Sequence, residues 1–490
     1  MAFASQRDFI ETLETAGELR RISTPVSIDL EIAALSDLEM KKPGGGKALL
    51  FEKPVLVDGR ISAFPVLVNS LGSERRMALS LCVGHVDEIA GQLAYLMKAK
   101  PPKSIGEAFE LVRQGMDVIH ARPVKVSHGP CKDRIHYFDK PTDSRGLKDL
   151  PVLKCWPDDG GPFVTLPTVY TQDPDTGERN VGMYRMQVYD GWSTGMHWQI
   201  HKVAARHGRR YYERGERMPV TVCLGGDPVF AFAATAPLPD GLDEILLAGF
   251  LRKKSVQLIK CETNDLMVPA ESDFVIEGYV DPMEVLRDEG PFGDHTGFYT
   301  PVDKYPVFHV TCITHRSDAV YSATVVGKPP MEDFYIGTAS VRILFPVLKM
   351  TFPEIVDIAL PAEGVFHNLV FVSIKKQYPY HAFKIMNGLW GMGQMMFSKI
   401  IVVVDSDVDV HNTSEVLFKI CSNIDPQRDT HFTKGPCDSL DHAPNIPNIG
   451  SHMGIDATRK LAGEGYTRVW PVECRHPEEV LAKVRALSAL

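Results

Sequence analysis

The alternation of hydrophobic and polar positions divides the chain into three regions, the first of which mixes helices with short strands. Ser5 and Asp8 have the spacing of a helix N-cap and its N3 partner, and the apolar stripe that begins at Phe9 predicts an amphipathic helix behind them. Further along, "KALLFEKPVLVDG" predicts a strand and a turn, whereas "HVDEIAGQLAYLMKA" predicts a helix. We therefore expect an N-terminal α/β region over residues 1–120.

The second region, residues 121–330, consists of short apolar segments that glycine and proline interrupt. This spacing is typical of the strands of a β-barrel or β-sandwich. One helix is predicted among them at residues 240–254, packed on the strands through Ile245, Leu246 and Phe250. The predicted strand segments include "MPVTVCLGGDPVFAFAATA", "SVQLIKCETNDLMVPA", "DFVIEGYVDP", "FHVTCITHR" and "VYSATVVG".

The third region, residues 331–490, alternates helix-like and strand-like segments. Such alternation predicts a three-layer α/β domain. The segments are "SVRILFPVLKMTFPEI", "LVFVSIKK", "NGLWGMGQMMFSK", "IIVVVDSDV" and "SEVLFKICSNI".

Length and charge narrow the class of protein. A chain of 490 residues is too long for a single core. The net charge of -9 argues against a nucleic-acid or anionic-membrane binder, and the basic run at 206–214 is expected to form a solvated helix face. Because the N-terminus has no apolar signal core and no apolar run approaches the roughly 18 residues of a membrane span, we expect a cytoplasmic protein.

Generic catalytic motifs are absent from the sequence. The nine cysteines are scattered without a CxxC pair, which favours reduced thiols over a disulfide framework or a zinc site. "HWQIH" lacks the glutamate of a zinc hydrolase, and "DSDVDVHNTSE" has Val410 where a calcium loop needs glycine. "PGGGKA" lacks the spacing of a phosphate loop, and "GLWGMG" is expected to be a helix start.

The segment "RDEGPFGDHTGFY", residues 287–299, contains the clearest local sign of chemistry. Pro291 and Gly293 predict a tight bend that places Glu289 and Asp294 at its two ends. Two carboxylates directed into one cavity repel each other, which raises the pKa of one of the two carboxyls. That carboxyl would keep its proton and suit proton donation. The alternative is a solvated surface turn in which both acids merely cap backbone groups.

Three further polar residues have an ordinary structural interpretation. Glu244, like Asp243 beside it, can be an acid at a helix N-terminus, where the helix dipole favours it. Asn180 can be a turn residue and Arg185 a surface cation. The local patterns do not decide between these interpretations and a functional role.

Taken together, these stretches resemble the UbiD family of prenylated-flavin decarboxylases, in particular its quinone-biosynthesis branch. Family-like segments run in order over roughly residues 120–460, and "RDFIETLETAGELRRI" resembles the family's opening. The segments are "NVGMYRMQ", "GMHWQIHK", "DEILLAGFLRKKSVQLIKCETNDLMVPAESDFVIEGYV", "EGPFGDHTGFY", "VVGKPPMED", "KIIVVVDSDVD" and "GIDAT".

The resemblance implies a role for each matching position. Arg185 would hold the substrate carboxylate, and Glu289 and Asp294 would be the catalytic carboxyls. Asn180, His197 and Glu244 would hold a divalent metal, for which the single imidazole favours Mn(II) over Mg(II). The implied contacts of the prenylated FMN are Asn180, Met183, Tyr184, Arg185, Met196, His197, Trp198 and Lys399, with His201 and Lys202 as further candidates. A K+ ion is implied without any sequence signature.

The implied fold is a split β-barrel that binds the flavin, joined to a C-terminal α/β oligomerisation domain. The implied reaction is non-oxidative, potentially reversible decarboxylation of an aromatic, hydroxylated acid. A 4-hydroxybenzoate-type acid, a polyprenyl-4-hydroxybenzoate or a dihydroxynaphthoate is the expected substrate. A flavin prenyltransferase would supply the cofactor, and a homodimer or larger homo-oligomer is expected. The alternatives are a non-catalytic subunit of a multi-subunit carboxylase and an oxidoreductase that uses plain FMN.

Overall fold

The helices begin and end close to the signals in the sequence. The computed structural model describes residues 2–98, 121–138, 146–198, 203–238 and 241–488. In these ranges the helices are α1 Gln6–Thr15, α2 Glu31–Met40, α3 Glu74–Ser80, α4 Asp87–Lys98, α5 Val203–Arg214, α6 Val229–Thr235, α7 Glu244–Arg252, α8 Glu332–Thr351, α9 His381–Trp390, α10 Thr413–Asn423 and α11 Glu478–Ser488. Single 3-10 turns occupy Pro43–Gly45, Pro130–Lys132, Gly146–Asp149, Ala362–Gly364 and Gly393–Phe397.

The first helix confirms the capping prediction. The side chain of Ser5 accepts the backbone N–H of Asp8 at 3.1 Å, which satisfies one of the unpaired donors of the first turn of α1. Phe9 and Leu13 on its apolar face are fully buried. Burial of each such side chain stabilises the fold by about 1.5–3 kcal/mol.

Three predictions of local structure are wrong. Residues Val229–Thr235 form a helix where a strand was expected. The run "VFAFAAT" is short and almost entirely apolar, and the periodicity of such a run does not distinguish a buried helix from a buried strand. Leu246 of α7 was predicted to pack on the strands, but its side chain is 37% exposed, whereas Ala248 and Leu251 of the same helix are buried. The segment "GLWGMG" was predicted to begin a helix, but it contains the end of one, since α9 ends at Trp390.

Short strands make up most of the rest of the first 330 residues. They are β1 Leu19–Ile22, β2 Val26–Ser27, β3 Ala48–Phe51, β4 Pro54–Val55, β5 Val66–Val68, β6 Val124–Val126, β7 Arg134–Tyr137, β8 Phe163–Val164, β9 Thr168–Gln172, β10 Arg179–Gly182, β11 Met186–Gln187, β12 Ser193–Gly195, β13 Met218–Leu224, β14 Gln257–Lys260, β15 Met267–Pro269, β16 Phe274–Val280, β17 Arg287–Glu289, β18 Phe292–Gly293, β19 Tyr299–Thr300, β20 Asp303–Tyr305, β21 Val307–His315 and β22 Tyr321–Ser322.

A seven-stranded antiparallel sheet is the centre of this part of the chain. Its order is β10-β9-β13-β16-β21-β12, and β7 also pairs with β21. Both faces of β16 are covered, since the consecutive residues Phe274, Val275 and Ile276 are all buried. Strand β10 lies at one edge of the sheet, and the hairpin of β17 and β20 follows β16 in the chain. The sheet thereby carries the elements on which the candidate site is built.

A second, four-stranded sheet joins the two ends of this region. Its order is β1-β3-β5-β22, so a strand at Tyr321–Ser322 pairs with the N-terminal strand Val66–Val68. The chain forms two units, the first built from Met1–Thr351, Ala362–Phe366 and Ser439–His442. The three-part division at residues 120 and 330 stays a prediction.

The second unit is a five-stranded mixed sheet between helices. The strands are β23 Ile355–Ala359, β24 Leu369–Ile374, β25 Ile400–Asp405, β26 Thr430–Pro436 and β27 Ile449–Asp456, in the order β23-β24-β25-β27-β26. Ile455 packs in the cluster that contains Val416 of α10, whereas the adjacent Gly454 approaches Met386 of α9. Because consecutive strand residues face opposite sides, the two helices cover opposite faces. The predicted mixed α/β fold class is confirmed.

Two further predictions concern the whole chain. All nine cysteines are free thiols. None of the helices in the described ranges has the length and apolar character needed to cross a bilayer.

Candidate active site

A tight turn after β17 directs two carboxyls inward. Glu289 ends β17, and the next residue, Gly290, has φ +98°, a conformation that favours glycine. The Gly290 N–H donates to the side-chain oxygen of Gln187 at 2.7 Å, which fixes the start of the turn. Asp294 follows β18, where a Cβ on Gly293 would lie 2.2 Å from the Trp156 ring. The predicted bend is present, and both acids are buried.

Arg185 lies between the two carboxyls. Its Nε donates to Glu289 Oε1 at 2.9 Å and its Nη2 to Glu289 Oε2 at 3.2 Å, while Nη1 donates to Asp294 Oδ2. Thr300 Oγ1 accepts a further bond from Nη2 at 3.1 Å, and the guanidinium carbon lies 4.5 Å from the centre of the Phe292 ring. The side chain of Arg185 is only 9% exposed. The surface-cation and surface-turn alternatives are therefore wrong for these residues.

The pKa values of the two carboxyls reflect these neighbours. Burial raises the pKa of Glu289, but the hydrogen bond with His197 and the charge of Arg185 lower it more, to below its usual value. Burial likewise raises the pKa of Asp294, but hydrogen bonding and charge from His295, with the charge of Arg185, hold it well below its usual range. Both acids are therefore ionised at neutral pH while Arg185 contacts them.

His197 belongs to this cluster. Its Nδ1 lies 3.1 Å from Glu289 Oε2, and its ring centre lies 4.3 Å from that of Tyr305. Burial lowers the pKa of His197, although Glu289 opposes the shift, so the imidazole is neutral at pH 7.

Asn180 and Glu244 line a separate cavity of about 70 Å³ next to β10 and the start of α7. The N–H groups of the Asn180 amide lie 3.5 Å from Thr171 Oγ1 and from the Tyr184 hydroxyl, which leaves its carbonyl oxygen for other partners. Glu244 Oε2 accepts the N–H of Val181 at 3.0 Å, and burial raises the pKa of Glu244 to about 7.

The neighbour of Glu244 has the ordinary helix-end role. Asp243 is the N-cap of α7 and accepts the N–H of Ile245 at 2.8 Å. Its other oxygen accepts a bond from Arg179 at 2.8 Å. Of the two consecutive acids, Asp243 therefore caps the helix, whereas Glu244 borders the cavity.

His197 is not among the residues that line the cavity of Asn180 and Glu244. Within the described ranges, no group of three or more His, Cys, Asp or Glu residues is positioned to bind a metal. Two of the three proposed metal ligands thus share a cavity, and the third contacts Glu289. The metal set stays a prediction.

The other predicted cofactor contacts have varied environments. Met196 and Tyr184 are buried, and Met183 is half-buried. The indole N–H of Trp198 is buried and has no hydrogen-bond acceptor within the described part of the chain. Lys399 precedes β25 in the second unit, where its carbonyl accepts the N–H of Met453 at 2.9 Å. His201 and Lys202 lie outside the described residues.

Several residues of these sites carry no recognisable sequence signal. Phe292, Thr300 and Tyr305 contact Arg185 or His197 only because β17–β20 folds back on itself. Arg206 and His207 of α5 line the cavity of Asn180, although the basic run to which they belong was predicted to be a solvated face. His207 is buried, whereas Arg209 in the same run is exposed. A helical projection of 203–214 would have put His207 and Tyr211 on one buried face.

Known proteins similar to this chain define its class. Three family models match in order: the 3-octaprenyl-4-hydroxybenzoate carboxy-lyase N-terminal domain over residues 10–95, the Rift-related domain over 122–329 and the C-terminal domain over 334–457. An uncharacterized protein of Archaeoglobus fulgidus is 48% identical over 489 residues, which cover 99% of this chain and 98% of that protein.

Two solved structures share the fold over nearly their whole length. Vanillic acid decarboxylase of Sedimentibacter hydroxybenzoicus, in its closed form, is 26% identical with a TM-score of 0.83 and covers 99% of both chains. An evolved dimeric form of the UbiD-class enzyme HmfF of Pelotomaculum thermopropionicum, in complex with prFMN, is 26% identical with a TM-score of 0.77 and covers 96% of this chain and 97% of that one. This chain belongs to the UbiD family and is a carboxy-lyase of that family.

Proposed function

We propose that this enzyme removes CO2 from an aromatic, hydroxylated carboxylic acid, without net oxidation and in a potentially reversible reaction, with prenylated FMN as cofactor. The observation that carries the proposal is the buried Arg185 between Glu289 and Asp294, in a chain that belongs to a carboxy-lyase family. A non-catalytic subunit would have no need to keep a buried cation and two buried acids together at a desolvation cost of several kcal/mol per ion.

Arg185 is proposed to bind the carboxylate that becomes CO2. A guanidinium donates two parallel hydrogen bonds to a carboxylate, which fixes the orientation of the carbon that reacts. Glu289 and Asp294 occupy these donors in the structure. The substrate carboxylate therefore competes with the two acids for Arg185, so binding loosens at least one of them.

One of the two acids is proposed to deliver the proton that replaces CO2. The reaction consumes one proton per turnover, and a carboxylic acid held next to the reacting carbon can supply it. When the substrate anion takes Arg185, three anions surround one cation. Neutralising one of them by protonation then costs less than in the resting site.

The residues around the Asn180 cavity fit a flavin phosphate and a divalent ion. When bound, prenylated FMN supplies the electron sink that departing CO2 requires and that side chains lack. Asn180 and Glu244 offer oxygen ligands, and Arg206 offers a cation for phosphate. The buried indole N–H of Trp198, which is not among the residues that line this cavity, offers a further donor. Mn(II) or Mg(II) is the proposed metal. His197, Met183, Tyr184, Met196 and Lys399 remain proposed contacts, and K+ remains an implication of the family.

The proposed substrate class and partners rest on the relatives. One similar structure is a vanillic acid decarboxylase, and the expected substrates of this chain are likewise a 4-hydroxybenzoate-type acid, a polyprenyl-4-hydroxybenzoate or a dihydroxynaphthoate. A flavin prenyltransferase is proposed to supply the cofactor, in the cytoplasm. A homodimer or larger homo-oligomer is proposed because an evolved form of a similar UbiD-class enzyme is dimeric.

The testing experiment is co-production with a flavin prenyltransferase, followed by mass spectrometry of the released cofactor. We expect prenylated FMN, and CO2 release from at least one of vanillate, 4-hydroxybenzoate, 3,4-dihydroxybenzoate and dihydroxynaphthoate. Plain FMN with nicotinamide oxidation would instead establish an oxidoreductase. An empty protein, when a known decarboxylase loads in parallel, would establish the non-catalytic subunit.

Glu289→Gln tests the role of the turn. The amide keeps the shape of the side chain but cannot exchange a proton or balance the charge of Arg185, so we expect kcat to fall by about 100-fold or more while the cofactor is retained. The matched control is Glu284→Gln, which alters an exposed glutamate paired with His309 at 2.5 Å and should leave kcat within about twofold. Full activity of Glu289→Gln would remove this carboxyl from the mechanism.

A further inference from the structure

The end of the acid turn, residues 289–294, is fastened to a loop that the sequence motifs did not indicate. This clamp loop, residues 155–161 with the sequence "CWPDDGG", precedes β8. The N–H of Gly293 donates to Oδ1 of Asp159 at 2.8 Å. Because Gly293 directly precedes Asp294, this hydrogen bond fixes the backbone from which one of the two proposed catalytic carboxyls extends.

The same carboxylate also holds the clamp loop itself. Oδ2 of Asp159 accepts the N–H of Cys155 at 3.1 Å and the N–H of Trp156 at 2.8 Å. Asp159 is only 5% exposed, so these backbone N–H groups replace the water that a carboxylate would otherwise bind. Its two oxygens accept from two different segments, whereas the amide of an asparagine has a single acceptor oxygen. A carboxylate therefore suits this position.

The ring of Trp156 packs against the same point of the turn. A Cβ on Gly293 would lie 2.2 Å from this ring, and a Cβ on Gly327 would lie 2.6 Å from it. The indole N–H donates to the carbonyl of Val326 at 2.8 Å. The ring thus contacts both the turn and the segment that follows β22. Asp159 bonds to the backbone of both residues in the first of these contacts, Trp156 and Gly293.

Two further contacts join the clamp loop to the turn. The N–H of Gly160 donates to the carbonyl of Pro291 at 2.8 Å. A Cβ on Gly160 would lie 2.2 Å from the carbonyl oxygen of Gly290, so only glycine permits this approach of the two backbones. The N–H of Asp158 donates at 3.2 Å to the hydroxyl of Tyr299 in β19, the strand that pairs with β18. One loop therefore holds the turn and its return strand.

We propose that Asp159 is a positioning residue of the decarboxylation, which holds the carboxyl of Asp294 in place against Arg185. The inference rests on the proposed function and adds to it the group that fixes the geometry of the acid pair. Asp159 acts through the backbone of Gly293, and it neither binds the substrate carboxylate nor donates the proton. A displacement of a reacting group by about 1 Å can lower a rate by about 100-fold, so the clamp bears directly on turnover.

Substrate binding gives the clamp its importance. In the structure Arg185 bonds to both Glu289 and Asp294. The substrate carboxylate is proposed to compete for these donors, which releases at least one of the acids. The hydrogen bond between Asp159 and Gly293 does not involve Arg185. It therefore keeps the backbone at Asp294 in place when the ion pair with Arg185 is broken.

The first test needs neither substrate nor cofactor. Phe292–Gly293 is the one Phe-Gly pair in the sequence, so labelling with 13C-carbonyl phenylalanine and 15N-glycine gives a single correlated amide signal in NMR, that of Gly293. The measured quantity is the hydrogen-exchange rate of this amide. In Asp159→Asn the one remaining oxygen can pair with two N–H groups, those of Cys155 and Trp156, which turns the NH2 group towards Gly293. We therefore expect exchange of the Gly293 amide to become about tenfold faster or more.

The matched control is Asp273→Asn. Asp273 is also buried and accepts two backbone N–H groups, that of Gly226 at 2.7 Å and that of Val320 at 2.9 Å. This variant should leave the exchange rate of the Gly293 amide within about twofold of the wild type. Unchanged exchange in Asp159→Asn, or an equal increase in the two variants, would overturn the proposal.

The second test uses the loaded enzyme and whichever of the screened acids gives the fastest CO2 release. We expect Asp159→Asn to lower kcat by about 10- to 100-fold with KM changed by less than about threefold, because the clamp acts on the acid pair after the substrate has bound. The ratio of kcat in H2O to kcat in D2O should be larger than in the wild type, since proton delivery becomes slower. Asp273→Asn should keep kcat within about twofold and leave this ratio unchanged.

The outcomes of the second test separate positioning from a role in the fold alone. A fall in kcat of the same size in both variants would show that Asp159 serves only the fold, and wild-type kcat in Asp159→Asn would refute the clamp. A change in KM with kcat unaltered would also refute it. A wild-type enzyme that turns over none of the acids would refute the proposed decarboxylase function, whereas the exchange rate of Gly293 would still decide whether Asp159 holds the turn.

Discussion

Arg185 is the residue at which the charges of the candidate site are balanced. Its guanidinium uses all three nitrogens on Glu289, Asp294 and Thr300, and its face rests on Phe292. The planar guanidinium of arginine has several N–H donors in fixed directions, which suits this arrangement. The ammonium group of lysine is a compact charge that cannot reach all of these acceptors at once. The observed set of hydrogen bonds therefore requires an arginine at this position.

Given the proposed role of Arg185 in binding the substrate carboxylate, Arg185→Lys should lower kcat/KM by about 100-fold, equivalent to about 3 kcal/mol, because a lysine cannot hold a carboxylate in a bidentate geometry. Steady-state kinetics on the loaded variant measures this loss. Arg287→Lys is the matched control. Arg287 lies in β17, is exposed, and has its guanidinium carbon 4.0 Å from the centre of the Tyr189 ring, so the change should alter kcat/KM by less than about twofold. Equal effects of the two changes would contradict the role of Arg185.

Helix α7 shows how one element serves both the site and the fold. Its N-terminal Glu244 borders the Asn180 cavity, and its C-terminal Arg252 is buried with Asp227 and Glu271. Arg252 donates to Glu271 at 2.7 and 3.1 Å and to the carbonyl of Phe3 at 3.2 Å. This ion cluster anchors the helix that positions Glu244.

Arg252→Met should lower the free energy of unfolding by about 3–5 kcal/mol, because it leaves Asp227 and Glu271 buried without their cation. Denaturant unfolding, followed by fluorescence, measures the change. Arg217→Met is the comparison, since Arg217 pairs with Asp281 at 3.0 Å but is 63% exposed, and it should cost less than about 1 kcal/mol. An equally small decrease in the free energy of unfolding for both variants would show that the buried cluster does not anchor α7.

At the scale of the whole molecule, buried carboxyls join segments that are far apart in sequence. Asp273 accepts the N–H of Gly226 at 2.7 Å and the N–H of Val320 at 2.9 Å. It thereby ties the turn after β13 to the segment that leads into β22. Burial raises the pKa of Asp273 to about 6, from an ordinary value of 3.8.

This shift predicts a pH dependence of stability. Because the folded state holds the Asp273 proton more tightly than the unfolded state, its contribution is fully present below about pH 4 and is lost as the pH rises to about 6. Asp273→Asn does not titrate, so the stability advantage of the wild type over the variant should shrink between these pH values by about 2–3 kcal/mol. Denaturant unfolding of both proteins at pH 4, 5 and 7 measures it. A constant difference would show that folding does not shift the pKa of Asp273.

Local patterns predicted the helices and the acidic turn well, and they failed where burial depends on distant segments. Ser5 capped its helix as expected, since a cap is formed within four residues. The exposure of Leu246 and the helix at Val229–Thr235 depended on which surfaces the rest of the chain covers. No local pattern indicated that His197 contacts Glu289, 92 residues away. Its role as a metal ligand stays a prediction.

The amino-acid sequence by itself determined the family and most of the helices and strands, because local spacing and ordered motifs carry this information. It also indicated Arg185, Glu289 and Asp294 as the predicted site residues. Only the tertiary structure decided that one guanidinium joins both acids, which lie 104 and 109 residues further along the chain. Sheet register and hairpin packing bring such groups together, and neither is contained in the spacing of neighbouring residues.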